Sequence, residues 1–77
     1  MSITVYTKPA CPQCETTKRA LKKANLEFVV VDFTKDPSAL EMIKEKGFKE
    51  APVVHAGDDW WSGFRPDLIK DFAEKTI

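Results

Sequence analysis

Two cysteines, placed where a strand pattern gives way to a helical one, constrain the fold of this chain more than any other feature. Cys11 and Cys14 follow a run in which apolar and polar side chains alternate, and they precede a run with helical periodicity. The first pattern predicts a strand over residues 2–7 and the second a helix that begins near Pro12. A Cys-x-x-Cys pair at such a junction is typical of a thiol–disulfide redox motif.

The remainder of the chain continues the alternation of strands and helices. The later predicted elements are a strand over 28–31, a helix from 36 to 47, a strand over 51–54, a strand at 60–61 and a helix that begins at Pro66. The run 28–31 is β-branched and continuous, which favours a strand buried on both faces. The order β-α-β-α-β-β-α predicts an α/β fold in a single domain, residues 1–77.

Composition argues against several classes of protein. The chain has 12 basic and 12 acidic residues, so no net charge directs it towards nucleic acid or an anionic membrane. No apolar run approaches the roughly 20 residues that cross a bilayer, and no signal peptide precedes the first strand pattern. We therefore expect a cytoplasmic protein, in a compartment where disulfides are usually catalytic or redox-sensing.

The two cysteines are expected to have different roles. Cys11 would lie at the helix N-terminus, where free backbone N–H groups and the helix dipole favour the thiolate over the thiol. Lys8 would add a nearby positive charge. Cys14 lies inside the first turn of the helix, one turn further on the same face, and would attack a mixed disulfide formed at Cys11. The sequence thus predicts Cys11 as nucleophile and Cys14 as the resolving thiol.

A metal-binding function is the alternative of a different class. Two cysteines supply half of a closed zinc site, and His55 is the only further Cys or His side chain. A monomeric zinc site would therefore lack ligands. A dimer that shares a metal or an iron–sulfur cluster through Cys11 and Cys14 keeps enough ligands and stays open at this point.

Four segments carry a resemblance to a known family, and together they cover essentially the whole chain. They are residues 4–8 (TVYTK), 11–14 (CPQC), 51–54 (APVV) and 61–66 (WSGFRP). In these segments the chain resembles the NrdH redoxins, which are glutaredoxin-like proteins of the thioredoxin superfamily. The resemblance implies a thioredoxin fold, with a four-stranded mixed sheet flanked by three helices.

The resemblance also implies a set of site residues. In thioredoxin-fold proteins, the proline that matches Pro52 is cis and lies beside the cysteines, and the backbone before it, here Ala51, pairs with an extended substrate. The loop over residues 62–65, called the late loop, is expected to lie near the cysteines as a docking surface. The expected site comprises the catalytic Cys11 and Cys14, the supporting Lys8, Pro12 and Gln13, and the partner-binding Ala51, Pro52, Trp61, Ser62, Gly63, Phe64 and Arg65.

The same resemblance implies a function. NrdH redoxins are electron carriers, and we expect this chain to work as a monomer without a cofactor of its own. NrdH redoxins are reduced by thioredoxin reductase, a flavoenzyme fed by NADPH, and they reduce a class Ib ribonucleotide reductase. Glutathione-dependent glutaredoxins are the alternative within this class, and they hold glutathione with a Gly-Gly turn and an acidic residue. Here Ser62 replaces the first glycine and Asp67 is displaced, whereas Pro12 is the residue that glutaredoxins use.

Overall fold

The computed structural model describes residues 2–75. Its elements are β1 (Ile3–Thr7), α1 (Pro12–Lys23), β2 (Val29–Asp32), α2 (Pro37–Glu45), β3 (Val53–Ala56), β4 (Asp59–Ser62) and α3 (Pro66–Lys75). This is the element order that the sequence predicts. None of these three helices is long and apolar enough to cross a membrane.

The four strands form one mixed sheet in the order β2-β1-β3-β4. β1 runs parallel to β2 and antiparallel to β3, and β3 runs antiparallel to β4. This is the thioredoxin fold expected from the resemblance. Tyr6 is opposite Val53, and Val53 is opposite Ser62. The C-terminal ends of β1 and β4 and the N-terminal end of β3 therefore meet at one end of the sheet. The segments that carry the cysteines, Pro52 and the late loop all adjoin the sheet at this end.

One face of the sheet forms the main core with α1 and α3. Side chains alternate along β1, so Ile3 and Val5 point to the same face and are almost fully buried. The core residues are Ile3, Val5, Leu21, Val54, Ala56, Trp61, Ile69 and Phe72. Because α1 and α3 both contribute to this core, the start of α1 is held at a fixed position near that end of the sheet.

The opposite face of the sheet carries an aromatic cluster. The rings of His55 and Trp60 stack with their centroids 3.8 Å apart, and Tyr6 stacks 6.2 Å from Trp60. The Lys46 ammonium lies 4.3 Å from the centre of the Trp60 ring. His55 therefore belongs to strand β3 and is partly covered by Trp60.

The prediction that the second strand is buried on both faces is wrong. Val29 is 60% exposed and Val30 is 47% exposed. β2 is an edge strand of the sheet and pairs only with β1 among the described strands. Val29 and Val30 point to opposite faces, so other segments cover neither face fully at this strand. A continuous β-branched run is typical of a central parallel strand, but the run itself does not determine how many neighbours the strand finds.

Candidate active site

The sulfur of Cys11 caps helix α1. Cys11 is the N-cap residue with an extended backbone (φ −117°, ψ 97°), and Pro12 opens the helix. The Cys14 N–H donates a hydrogen bond to Cys11 Sγ over 3.1 Å. The Cys11 sulfur thus takes the position that a serine or aspartate oxygen takes at an ordinary N-cap. This confirms that Cys11 lies at the cap and that the helix begins at Pro12.

The two cysteines form a disulfide, with their Cα atoms 5.2 Å apart. Cys11 is partly exposed, whereas Cys14 is only 1% exposed. An incoming sulfur can therefore reach Cys11 from solvent, whereas Cys14 is covered by the protein. The geometry supports attack by Cys11 and resolution by Cys14.

The turn before Cys11 is exposed and tightly bent. Lys8 and Pro9 lie on the surface, and Ala10 has a positive φ of 56° directly before the nucleophile. A left-handed backbone is uncommon for alanine, so the turn makes a sharp change of direction at this residue. Nothing in the sequence pattern marked Ala10, because glycine or asparagine is the usual residue in this conformation.

A cavity of about 590 Å³ adjoins Cys11 on the side of α1 and β2. Its lining includes Lys8 and Lys18 together with Glu15 and Asp32. A hydrogen bond and ion pair with Lys18 lower the pKa of Glu15, and hydrogen bonds from Thr34 lower the pKa of Asp32. Both carboxylates are therefore charged at neutral pH and balance the lysines, which leaves this side of Cys11 polar and close to neutral.

The segment before β3 forms the second wall of the site. The Ala51–Pro52 peptide bond is cis, as the resemblance implies. Pro52 is fully buried, while Ala51, just before the start of β3, is half-buried. Pairing in β3 begins only at Val53, two residues later than the sequence predicts, so the backbone of Ala51 lies outside the ladder.

The loop between β4 and α3 forms the third wall. The Gly63 N–H donates to the Pro52 carbonyl over 2.8 Å, and the Phe64 N–H donates to Gln13 Oε1 over 3.3 Å. The Arg65 guanidinium donates a bidentate pair of hydrogen bonds to the Asp67 carboxylate, with Nε–Oδ1 at 3.2 Å and Nη2–Oδ2 at 3.0 Å. The structure therefore brings the Cys-x-x-Cys turn, the Pro52 segment and the late loop together.

The two aromatic residues of the expected docking surface are buried to different degrees. Trp61 is only 5% exposed and belongs to the main core, so its ring supports the loop from beneath. Phe64 is half-buried and packs against the same core. The alternation of side chains along a strand explains why Trp61 points inward while Trp60 points to the other face.

The chain is similar to known proteins in both sequence and structure. The glutaredoxin family model matches residues 3–61. The glutaredoxin-like protein NrdH of Salmonella typhimurium is 49% identical over 69 residues, which covers 90% of this chain and 85% of the relative. The solved structure of NrdH-redoxin from Escherichia coli has a TM-score of 0.90 at 45% identity and covers 92% of this chain and 93% of its own. The thioredoxin-like protein BC3987 is similar with a TM-score of 0.81 at 28% identity, covering 91% and 97%.

Proposed function

This chain belongs to the glutaredoxin family, as an NrdH-type thiol–disulfide oxidoreductase, and from that premise we propose that it carries electrons from thioredoxin reductase to a class Ib ribonucleotide reductase. The carrier itself holds no cofactor in this proposal, since NADPH and flavin belong to the reductase. It works as a monomer in the cytoplasm, where a disulfide is a transient intermediate.

The exchange reaction proceeds in two steps. The Cys11 thiolate attacks one sulfur of the substrate disulfide, forming a mixed disulfide and releasing a substrate thiolate that takes up a proton. Cys14, as a thiolate, then attacks Cys11 Sγ and releases the second substrate sulfur. The carrier dithiol is thereby oxidised to the Cys11–Cys14 disulfide seen in the structure, and the substrate disulfide is reduced by two electrons and two protons.

The capping geometry acts on the attack by Cys11 and on the later reduction of the carrier. The Cys14 N–H and the helix dipole stabilise negative charge on Cys11 Sγ. Stabilising a thiolate increases its population about tenfold for each pKa unit, but with a Brønsted slope near 0.45 it lowers intrinsic nucleophilicity about threefold. The remaining gain is therefore small for attack. A further benefit comes when the carrier is reduced again: attack on the reductase sulfur of a mixed disulfide releases the Cys11 thiolate, and stabilising that thiolate makes it the better leaving group.

The observation that carries the choice of electron donor is that the late loop is already occupied by internal contacts. Gly63 and Phe64 donate their N–H groups to Pro52 and Gln13. The Asp67 carboxylate is engaged by Arg65. Glutathione would have to compete with these partners, whereas a protein reductase needs only the partly exposed Cys11 and the surface around it. The E. coli relative is described as having a thioredoxin-like activity profile, which supports the same donor.

The donor is tested by following NADPH consumption with insulin as the disulfide acceptor. One reaction contains thioredoxin reductase, and the other contains glutathione with glutathione reductase. We expect turnover with thioredoxin reductase only, and Cys11→Ser as the inactive control. Turnover with glutathione only would refute the proposed donor. It would favour a glutathione-dependent glutaredoxin, the class in which proline is the residue used at position 12.

The acceptor is tested separately. Class Ib ribonucleotide reductase is supplied with thioredoxin reductase, NADPH and this protein, and deoxyribonucleotide formation is measured. Turnover that depends on the carrier supports the proposed acceptor, and the Cys11→Ser protein should support none. If neither reductant reduces the folded protein, its metal and iron content must be measured, because the shared metal or cluster would then be the better explanation.

A further inference from the structure

Gln13 connects two segments that lie 51 residues apart in sequence. It occupies the middle of the Cys-x-x-Cys turn and is exposed, yet its side-chain oxygen accepts a hydrogen bond from the backbone N–H of Phe64. The exchange chemistry described above gives Gln13 no part in moving electrons or protons. A long, exposed side chain loses conformational freedom when it is fixed in this way, so the contact calls for an explanation.

The loop 62–65 is held from two sides by two successive amides. The Gly63 N–H is bound by the Pro52 carbonyl at 2.8 Å, and the Phe64 N–H by Gln13 Oε1 at 3.3 Å. The first bond ties the loop to the Pro52 segment, and the second ties it to the active-site turn. Without Gln13, the loop would keep its attachment to Pro52 but lose its attachment to the helix that carries Cys11.

The approach of the loop to Gln13 is close. Gly63 is buried with a φ of 79°, and a Cβ atom added there would lie 3.4 Å from Gln13 Oε1 and 3.9 Å from Glu50 Oε2. The backbone of the loop therefore packs directly on the Gln13 amide, with no side chain between them. This contact fixes the distance between the loop and the active-site turn.

We propose that Gln13 is a positioning residue for protein substrates: its amide oxygen orders the loop 62–65 beside Cys11 before a partner docks. This inference rests on the proposed role of the loop as part of the docking surface. A loop that is ordered in advance reduces the entropy lost on binding, so the effect is expected in the concentration needed for half-saturation. A small disulfide reaches Cys11 without covering the loop and gains less from its order.

The test compares Gln13→Met, which keeps the length of the side chain but removes the acceptor, with Lys22→Met. Lys22 is exposed in the last turn of the same helix and makes a matched control. Each protein is reduced beforehand, mixed with insulin or with hydroxyethyl disulfide, quenched in acid and analysed by mass spectrometry for the oxidised form. Gln13→Glu is the second variant, because it restores an acceptor oxygen.

We expect Gln13→Met to raise the half-saturation concentration for insulin about 2- to 10-fold relative to that for hydroxyethyl disulfide, the range expected for losing one neutral hydrogen bond. Gln13→Glu should restore the ratio between the two substrates, since any effect of its charge on the Cys11 thiolate acts on both. In amide hydrogen exchange, Phe64 should lose protection in Gln13→Met while Gly63 keeps it. Lys22→Met should change neither measurement.

Two results would overturn the proposal. Equal slowing of both substrates, with a shifted titration of the thiolate absorbance, would show that Gln13 acts on Cys11 and not on the loop. Unchanged protection of Phe64 in Gln13→Met would show that the hydrogen bond does not order the loop in solution. No reductase enters these assays, so a failure of thioredoxin reductase to reduce the protein would count against the proposed function alone.

Discussion

Replacing Gly63 by alanine tests whether the wall beside the active site depends on a left-handed backbone. The φ of Gly63 is 79°, a conformation that costs an ordinary L-residue about 1–2 kcal/mol. Alanine also restricts the unfolded chain, which offsets about 0.4–1 kcal/mol of this cost. The nearest atom to the new Cβ would be Gln13 Oε1 at 3.4 Å, an ordinary contact that adds no clash. We therefore expect a net loss of about 1 kcal/mol in the free energy of unfolding.

Gly47 provides a matched control for this prediction. It ends the segment after α2 with a φ of 82°, and a Cβ atom there would meet nothing within 4 Å. Gly47→Ala should therefore lose the same stability, to within about 0.5 kcal/mol, in urea or thermal denaturation. A loss of 1 kcal/mol corresponds to a fall in Tm of about 4–8 °C for a domain of this size.

Activity should separate the two variants. Gly63→Ala strains the left-handed backbone directly before Phe64, so we expect the loop to shift and insulin to be reduced more slowly. Gly47→Ala should retain the rate of the unmodified protein under conditions where both are folded. A Gly63→Ala protein as stable as its parent would show that the left-handed backbone is not adopted in solution. Equal loss of activity in both variants would refute the link between the loop and the site.

Three further predictions concern stability and pH. Leu21→Ala should lower the free energy of unfolding by about 2–5 kcal/mol in urea denaturation, because Leu21 is 1% exposed in the main core; a loss below about 1 kcal/mol would contradict that packing. Val30→Thr should change it by less than about 0.5 kcal/mol, since this edge-strand side chain is 47% exposed, and a larger loss would mean that β2 is covered. The hydrogen bond and ion pair with Arg65 lower the pKa of Asp67 from its ordinary 3.8. The stability contributed by this pair is therefore fully present above pH 3.8 and is lost as the pH falls through the lower pKa of the folded state. Urea midpoints measured from pH 6 to pH 2 should fall less steeply for Asp67→Asn than for its parent, and identical slopes would show that the pair contributes nothing.

The parts of the structure that depend on local chemistry could be predicted from the sequence. Pro12 marked the start of α1 and thereby placed Cys11 at the cap, because proline at a first helical position needs no hydrogen-bond partner. Gly47 marked the end of α2 for a similar reason, since its left-handed φ excludes most residues. These signals lie within a few residues of the feature that they specify.

The features that were missed depend on contacts between distant segments. The run 28–31 reads as a strand, but the exposure of its side chains is set by how much other segments cover its two faces, and no local pattern records this. The contact between Gln13 and Phe64 joins an exposed side chain to a backbone amide 51 residues away. The sequence placed both residues in the site through the resemblance, and the structure was needed to show that they touch.

The most direct test of the account is a trapping experiment with the two cysteines. Cys14→Ser protein, reduced and mixed with an oxidised protein substrate such as class Ib ribonucleotide reductase, is examined on non-reducing gels, and the linked peptides are identified by mass spectrometry. Because Cys11 is partly exposed and Cys14 is buried, we predict a stable mixed disulfide through Cys11 in Cys14→Ser and none in Cys11→Ser. A mixed disulfide formed through Cys14 in the Cys11→Ser protein, or no covalent complex from folded Cys14→Ser protein with any disulfide substrate, would contradict the assignment of Cys11 as nucleophile.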